Sequence, residues 1–266
     1  MHIAIDHTTT YRYGTAAERV HQVLRLWPIP GAAQVIRDWR VEVDGRKLRP
    51  SSRDGFGNPV ATHVVERPVA ALSLRVQAEV ETLDRHGVVG WTEDHLPPAY
   101  FVHSTALTQA DAAIAALAQR ARAEAEQEIA VLHRLSALVR ECIDYQPQTT
   151  DVATPAAAAL AAGAGVCQDH AHVLLAAARV LGHPARYVSG YLCASSEQAA
   201  ASHAWVEIHV AELGWVGFDP ANRICPDERY VRVAIGRDYR DAAPVRGVRV
   251  GGGEELLEVQ VRVGDQ

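Results

Sequence analysis

The hydrophobic pattern changes its period part-way along the chain, and this change constrains the fold most. Between Leu72 and Val80 apolar and polar residues alternate, which is the period-2 pattern of a half-buried strand. Residues 108–144, in contrast, are rich in Ala, Glu, Gln, Arg and Leu, which are good helix formers. We therefore expect an α+β fold in which a β region precedes a helical region.

The β region carries several short strands with turns between them. Val35–Val43 is a second alternating run, and Asp44-Gly45 closes it with a turn dipeptide. Further strands are predicted at residues 3–9, 20–27, 186–192, 203–210, 215–219 and 256–263. The pattern predicts an antiparallel β-sandwich domain over residues 1–98, ending at Pro97-Pro98, and a second domain over residues 99–266.

The composition is that of a globular protein and gives no sign of a nucleic-acid-binding, membrane-spanning or disulfide-rich protein. The 266 residues are 48% hydrophobic and carry a net charge of −6, so neither nucleic acid nor an anionic membrane is an expected partner. The first residues lack the pattern of a secretory signal, and no run of about 18 apolar residues occurs. Four cysteines are too few for a disulfide scaffold. We expect a cytoplasmic protein with reduced thiols.

The first helical segment is predicted from its capping pattern and its apolar face. Thr108 and Asp111 have the spacing of a capping box in its Asp-containing form. Cys142 falls on the same helical face as Leu132 and Val139, so it is predicted to be a core thiol. A further short helix is expected to start at Thr154-Pro155 and to end near Gly163.

Cys167 is predicted to lie in the first turn of a helix. Gly163-Ala164-Gly165 precedes that helix, and Gly182 followed by Pro184 ends it. The free N–H groups and the dipole at a helix start favour a thiolate and can stabilise the oxyanion of a tetrahedral intermediate. Such a nucleophile also needs a base and a group that orients the base.

A predicted hairpin supplies both groups. His203 and Trp205 lie on one face of a strand whose other face is apolar, and Asp219 ends the next strand. If residues 210–214 form the loop, Trp205 faces Asp219, and His203 is its diagonal neighbour at roughly 7–8 Å. A slip of one residue would send His203 and Asp219 to opposite faces of the sheet.

Cysteine and histidine side chains also have roles outside catalysis. A lone buried cysteine is usually inert, and Cys193 and Cys225 are predicted to be spectators. His172 is predicted to be a surface or packing residue. A zinc site would draw on five N or S ligands, but the chain has no C-x-x-C pair, so no metal or other cofactor is expected. The five are Cys167, His170, Cys193, His203 and Cys225.

Four segments resemble the bacterial transglutaminase-like proteins. They are Gly165-Val166-Cys167-Gln168-Asp169-His170-Ala171-His172, Pro184-Ala185-Arg186-Tyr187-Val188-Ser189-Gly190-Tyr191, Ser202-His203-Ala204-Trp205-Val206-Glu207 and Gly214-Trp215-Val216-Gly217-Phe218-Asp219-Pro220-Ala221-Asn222-Arg223. Residues 25–28 and 54–58 resemble the N-terminal β domain that accompanies the core in this family, and residues 236–247 resemble its C-terminal stretch. The family more often has Thr where this chain has Ala221.

The resemblance implies a papain-like core with a Cys-His-Asp triad. Cys167 would be the nucleophile, His203 the general base and acid, and Asp219 the group that orients the imidazole. Four further residues are expected to support the site or bind substrate: Gln168, His170, Trp205 and Asn222. The implied activity is thiol-dependent acyl transfer on a peptide or protein substrate through a thioester, as a peptidase, amidase or transglutaminase. The alternative is a non-catalytic protein-binding module on the same fold, and the oligomeric state stays open.

Overall fold

The computed structural model describes residues 1–92, 95–193 and 201–265. The strands are β1 His2–Leu24, β2 Gln34–Val43, β3 Arg46–Leu48, β4 Ser52–Arg53, β5 Pro59–Val65, β6 Val69–Thr82, β7 Val88–Gly90, β8 Asp144–Tyr145, β9 Ala164–Gly165, β10 Ala185–Leu192, β11 Ala201–Val210, β12 Gly214–Phe218, β13 Tyr230–Gly236, β14 Val245–Gly251 and β15 Glu255–Asp265. The helices are α1 Ala112–Glu124, α2 Glu128–Cys142, α3 Ala156–Ala162, α4 Cys167–Val180 and α5 Tyr239–Ala242, with a 3₁₀ turn at Pro98–Val102.

The strand β1 organises the N-terminal sheet. Along one edge it pairs with β6 and then β5, and along its other edge it pairs with β15 and then β14, all antiparallel. The strands predicted at 3–9 and 20–27 are therefore two parts of one strand. Residues 14–19 interrupt the apolar alternation, and the pairing is irregular between Arg12 and Ala17, but the backbone stays extended.

The N-terminal sheet is curled, so side chains from distant strands share one core. Apolar side chains from β1, β2, β5 and β6 pack into a single buried cluster that includes Leu24, Val41, Ala61 and Leu74. The period-2 pattern predicted this burial, since alternate positions of β6 are covered. The division of the sheet into the two layers of a sandwich stays a prediction.

The second sheet has the strand order β13-β10-β11-β12-β7 and is antiparallel throughout. The even-numbered face of β11, with Ala204, Val206 and Ile208, packs in one hydrophobic cluster with side chains of α1, α2 and α4. This confirms the prediction that the apolar face of the strand meets the helices. Helix α4 is buried at every position from Gln168 to Arg179, so it forms the centre of the helical layer.

Two predictions about the helical segment are wrong. Asp111, not Thr108, caps α1, because its carboxylate accepts a hydrogen bond from the Ile114 N–H at 2.8 Å. The Thr108 hydroxyl instead accepts a buried hydrogen bond from Arg179 at 2.7 Å. Cys142 is exposed rather than a core thiol, since α2 ends at that residue and Ile143 turns inward in its place.

The helix boundaries near Cys167 follow the prediction closely. Helix α3 ends at Gly163, whose left-handed backbone closes the last turn, and its N-cap is Pro155, one residue after the predicted Thr154. Helix α4 begins at Cys167 itself. Cys167 is therefore the first residue of a helix that follows the glycine-rich segment, as expected.

The last strands of the chain return to the first sheet. Strands β14 and β15 pair with β1 over residues 3–24, although the sequence assigns 245–265 to the second domain. Strands β13 and β14 were not predicted. The boundary between the two predicted domains stays a prediction.

Candidate active site

Cys167 is held at the helix start by a buried carboxylate two residues further on. Asp169 accepts hydrogen bonds on Oδ2 from the Val166 N–H at 2.7 Å and from the Thr150 hydroxyl at 2.6 Å. Gly165 is required here, because a Cβ at that position would lie 2.6 Å from Asp169 Oδ2. The first N–H groups of an α-helix have no acceptor within the helix, and in α4 these include the N–H groups of Cys167 and Gln168, next to the thiol along the chain.

His203 and Asp219 form a short, buried hydrogen bond. His203 Nε2 lies 2.6 Å from Asp219 Oδ2, and the Asp219 side chain is fully buried. The strand register is the predicted one, with His209 opposite Trp215 and Val210 opposite Gly214. The side-chain period of the hairpin therefore brings the histidine and the aspartate together, as the sequence predicted.

Two more side chains hold the Asp219 carboxylate. Asn222 Nδ2 donates to Oδ2 at 2.7 Å, and the Tyr230 hydroxyl donates to the same oxygen at 2.7 Å. The Asn222 backbone N–H donates to the other oxygen, Oδ1, at 3.2 Å. Burial opposes the charge of this carboxylate, but the hydrogen bonds from His203, Tyr230 and Asn222 outweigh it and lower the pKa of Asp219.

His203 is the link between Asp219 and Cys167. Burial alone disfavours the imidazolium, but hydrogen bonds to Asp219 and to Cys167, together with their negative charges, raise the pKa of His203 from 6.5 to about 10. Because Nε2 is engaged by Asp219, Nδ1 is the ring nitrogen left for the thiol. The three side chains predicted from sequence thus lie together, with His203 acting on the thiol on one side and hydrogen-bonded to the carboxylate on the other.

Comparison with known proteins places this arrangement in a family. Residues 115–220 match the model of the transglutaminase-like superfamily, and residues 3–81 match that of the bacterial transglutaminase-like N-terminal region. An uncharacterized protein of Mycobacterium leprae is 32% identical over 275 residues, which cover 97% of each chain. The chain belongs to the transglutaminase-like superfamily.

One further relative and one solved structure are similar to the chain over nearly its whole length. An uncharacterized protein of Mycobacterium tuberculosis is 27% identical to this transglutaminase-like protein over 297 residues, which cover 97% of this chain and 91% of the relative. The crystal structure of a Cytophaga hutchinsonii protein, proposed to be a cysteine protease, superposes with a TM-score of 0.78 at 22% identity. The superposition covers all of this chain and 91% of the Cytophaga hutchinsonii chain, so the two proteins share the whole fold.

The predicted supporting residues lie around His203 and the start of α4 in different ways. Trp205 stacks beside His203, with ring centroids 6.3 Å apart. Gln168 is buried at the start of α4. Both ring nitrogens of His170 lie within 3.0 Å of backbone carbonyls, those of Val166 and Ile143, so this ring ties the helix start to the end of α2. The roles of these residues in binding or catalysis stay predictions.

His172 is a packing residue, in line with one of the two roles considered for it. It is fully buried, and its Nε2 accepts a hydrogen bond from the Tyr239 N–H at 3.1 Å. Burial, with the nearby Arg179, lowers the pKa of His172 to about 3. The ring is therefore neutral at ordinary pH, and it connects α4 to α5.

Sequence reasoning missed two tyrosines of the site. Tyr230 begins β13, and its ring lies 5.8 Å from that of His203 while its hydroxyl binds Asp219. Burial, and then the negative charges of Cys167 and Asp219, raise the pKa of the half-exposed Tyr145. The alternation of Val231, Val233 and Ile235 could have revealed β13, but no local signal pointed to either hydroxyl.

A cavity of about 670 Å³ lies between loops of the N-terminal sheet and the odd-numbered face of β11, and Cys167, His203 and Asp219 do not line it. Trp205 and Tyr230 line it and separate it from His203. At its floor the fully buried Glu207 accepts hydrogen bonds from Arg186 at 2.6 Å and from Arg232 at 2.8 Å. The polar residues of this face are therefore ion-paired in the interior rather than solvated.

Two further observations concern metals and membranes. Over residues 1–92, 95–193 and 201–265, no three His, Cys, Asp or Glu side chains are grouped as a metal site would require. Among the helices in those same ranges, none combines the length and the apolarity needed to cross a bilayer.

Proposed function

We propose that this transglutaminase-like protein is a thiol-dependent acyl-transfer enzyme that acts on peptide or carboxamide bonds. The observation that carries the proposal is the position of His203 between Cys167 and Asp219, with a 2.6 Å hydrogen bond to the carboxylate. The raised pKa of His203, about 10, favours an imidazolium at neutral pH, and a neighbouring imidazolium favours a thiolate.

In the first half of the reaction, the Cys167 thiolate attacks the carbonyl carbon of the substrate. The carbonyl oxygen becomes an oxyanion, which the free N–H groups of Cys167 and Gln168 can stabilise. The His203 imidazolium then donates its proton to the departing nitrogen. The C–N bond breaks, ammonia or an amine leaves, and a thioester joins the acyl group to Cys167.

In the second half, His203 is neutral and acts as the base. It removes a proton from water as the oxygen attacks the thioester carbon, and the C–S bond breaks to release a carboxylic acid and the thiolate. An amine attacking in place of water would give a new amide instead. Asn222 and Tyr230 keep Asp219 in position throughout, so that the imidazole cannot rotate away.

The alternative is a binding module in which the same side chains have only a structural role. Substitution of Cys167 by Ala would leave partner binding unchanged under that hypothesis and would abolish turnover under ours. The buried, hydrogen-bonded pair of His203 and Asp219 favours the enzyme, since burying charge without a use for it lowers stability.

The experiment is the pH dependence of iodoacetamide alkylation at each cysteine, located by mass spectrometry. The chain supplies its own controls. Cys142 is exposed and more accessible than the partly exposed Cys167, while burial raises the pKa of Cys225 to about 11. We expect Cys167 to react faster than Cys142 at pH values well below 8, even though it is less exposed.

The His203→Ala variant decides what causes that reactivity. Loss of the imidazolium should slow Cys167 and leave Cys142 unchanged. If Cys167 reacts no faster than Cys142, or is indifferent to His203, the activated pair does not exist and the binding module becomes the better explanation. If the pair is confirmed, peptide amides tested with and without amine acceptors separate hydrolysis from transamidation.

A further inference from the structure

The edge of the N-terminal sheet is formed by strands that have a partner on one side only. Strands β14 and β15 pair with β1, and no strand within the described ranges pairs with their outer edge. Alternate residues of such a strand direct both N–H and C=O away from the sheet, ready to pair with another strand. The edge spans Glu255–Asp265 in β15 alone, which is long for an unprotected edge.

Strand β15 exposes large apolar side chains on both of its faces. Leu256, Leu257 and Val259 are 59%, 51% and 50% exposed, and no proline interrupts the strand. Natural sheets usually protect an exposed edge with a bulge, a proline, a short strand or charged side chains, and of these β15 has only the charges. A long edge that exposes three large apolar side chains is typical of a surface that another chain covers.

We propose that β15 pairs with β15 of a second copy of this chain, antiparallel and centred on Gln260, to form a dimer with a sheet that runs through both copies. In that register Glu258 of each copy faces Arg262 of the other, and Val259 faces Val261. A two-fold axis repeats each pair, so one self-complementary strand supplies two ion pairs and the apolar contacts between them.

The charges of β15 select this register over its neighbours. A two-fold axis normal to the sheet pairs residues on the same face, so the centre must fall on a residue. Centring on Glu258 or on Arg262 would put like charges directly opposite each other, which is destabilising, and centring on Val259 or on Val261 would leave Glu258 and Arg262 opposite uncharged residues. Centring on Gln260 avoids this, and it places the exposed Leu256 over Gly264, where a Cβ would meet nothing within 4 Å.

The proposed pairing becomes unfavourable at both ends of the strand. Glu255 would face Asp265 in this register, and like charges there limit the ladder to residues 256–264. The interface therefore involves nine residues of each strand, and Cys167, His203 and Asp219 are not among them.

The test is a charge swap read by analytical ultracentrifugation. The wild-type chain should sediment as a dimer with twice the monomer mass of 28.9 kDa and should dissociate on dilution. Glu258→Arg and Arg262→Glu each create two like-charge pairs and should give monomers at the same concentration. The double variant restores opposite charges in reversed order and should be a dimer again.

A matched control separates the interface from the loss of a surface ion pair. Glu258 also pairs with Arg12 within its own copy, and both side chains are about half exposed. Glu81 of β6 pairs with Arg37 of β2, and both side chains are again about half exposed and lie away from this edge, so Glu81→Arg changes the charge equally. This control should remain dimeric, and circular dichroism should show that every variant is folded.

Cross-linking tests the register directly. Gln260 lies on the proposed two-fold axis, so Gln260→Cys should form a disulfide-linked dimer under mild oxidation more readily than Leu256→Cys or the wild type with its exposed Cys142. A wild-type chain that is monomeric at every concentration overturns the proposal. So does a dimer that survives the single charge reversals, because its interface then lies elsewhere.

Discussion

Replacement of Asp219 by Asn removes the charge that holds the His203 imidazolium and changes little else in size. Asp219 Oδ2 receives three donors: His203 Nε2, Asn222 Nδ2 and the Tyr230 hydroxyl. An amide in place of the carboxylate carries no charge, and its NH₂ group can accept none of these bonds. We expect the Asp219→Asn protein to fold with a lower pKa at His203.

The size of the effect follows from the raised pKa. At 1.36 kcal/mol for each pKa step, the change from 6.5 to about 10 corresponds to roughly 5 kcal/mol of preference for the imidazolium in the folded state. Because the folded pKa is above the unfolded one, this stabilisation is complete below pH 6.5 and is lost as the pH rises toward 10. Both Asp219 and Cys167 raise the pKa of His203, so Asp219→Asn should remove a large part of this stabilisation.

Two measurements follow the change. The ¹⁵N chemical shifts of the imidazole rings, followed as a function of pH, give the pH at which His203 loses its proton. The chain has 13 histidines, so the spectrum of the His203→Gln variant is used to assign the signal of His203. Urea unfolding between pH 6.5 and 10 gives the stability that His203 contributes. In the variant, the titration should move toward or below the ordinary value, and the decline of stability with pH should become shallower.

Two results would refute this reasoning. A His203 ring that titrates near its ordinary value in the wild type means that no ion pair exists in the folded protein. A ring that titrates high in both proteins means that Cys167, and not Asp219, holds the proton, so that the carboxylate only orients the ring.

Three further substitutions have defined outcomes. Tyr230→Phe removes one hydrogen bond to the buried Asp219 and should lower the free energy of unfolding in urea by about 1.5–3 kcal/mol; no change would mean that water replaces the hydroxyl. Glu207→Gln leaves two arginines in the interior without their counter-charge and should cost roughly 3–5 kcal/mol by the same assay, so a neutral result contradicts the buried ion network. Gly190→Ala places a Cβ 2.1 Å from the Val231 carbonyl oxygen and 2.7 Å from the Trp205 ring, and it should lower the melting temperature and the Cys167 alkylation rate together, whereas unchanged values would show that both β13 and the ring can move aside.

The parts of the site that sequence reasoning predicted are those with a local signal. Glycines and a proline mark both ends of the helix that begins at Cys167, and a helix start has a defined physical effect on a thiol. The hairpin register follows from loop length and the side-chain period, which place His203 beside Asp219. The spacing of residues along the chain was therefore sufficient to predict both the helix start at Cys167 and the pairing of His203 with Asp219.

The missed features depend on contacts between distant parts of the chain. Tyr230 reaches Asp219 across an intervening loop, and no spacing rule connects the two residues. Cys142 lies on the apolar face of its helix, but it is the last residue of that helix and is exposed to solvent there. The pairing of β15 with β1 joins residues at opposite ends of the chain, so local pattern predicts each strand but not their partnership.

The return of the final strands to β1 has a consequence for folding during synthesis. While the ribosome is still making the helices and the second sheet, β1 has partners on one edge only, and its other edge waits for residues 245–265. That open edge can pair with other chains until the last strand is released. The first sheet to be made is therefore the last to be completed, and a nascent chain stalled before residue 245 should be more prone to aggregate than the finished protein.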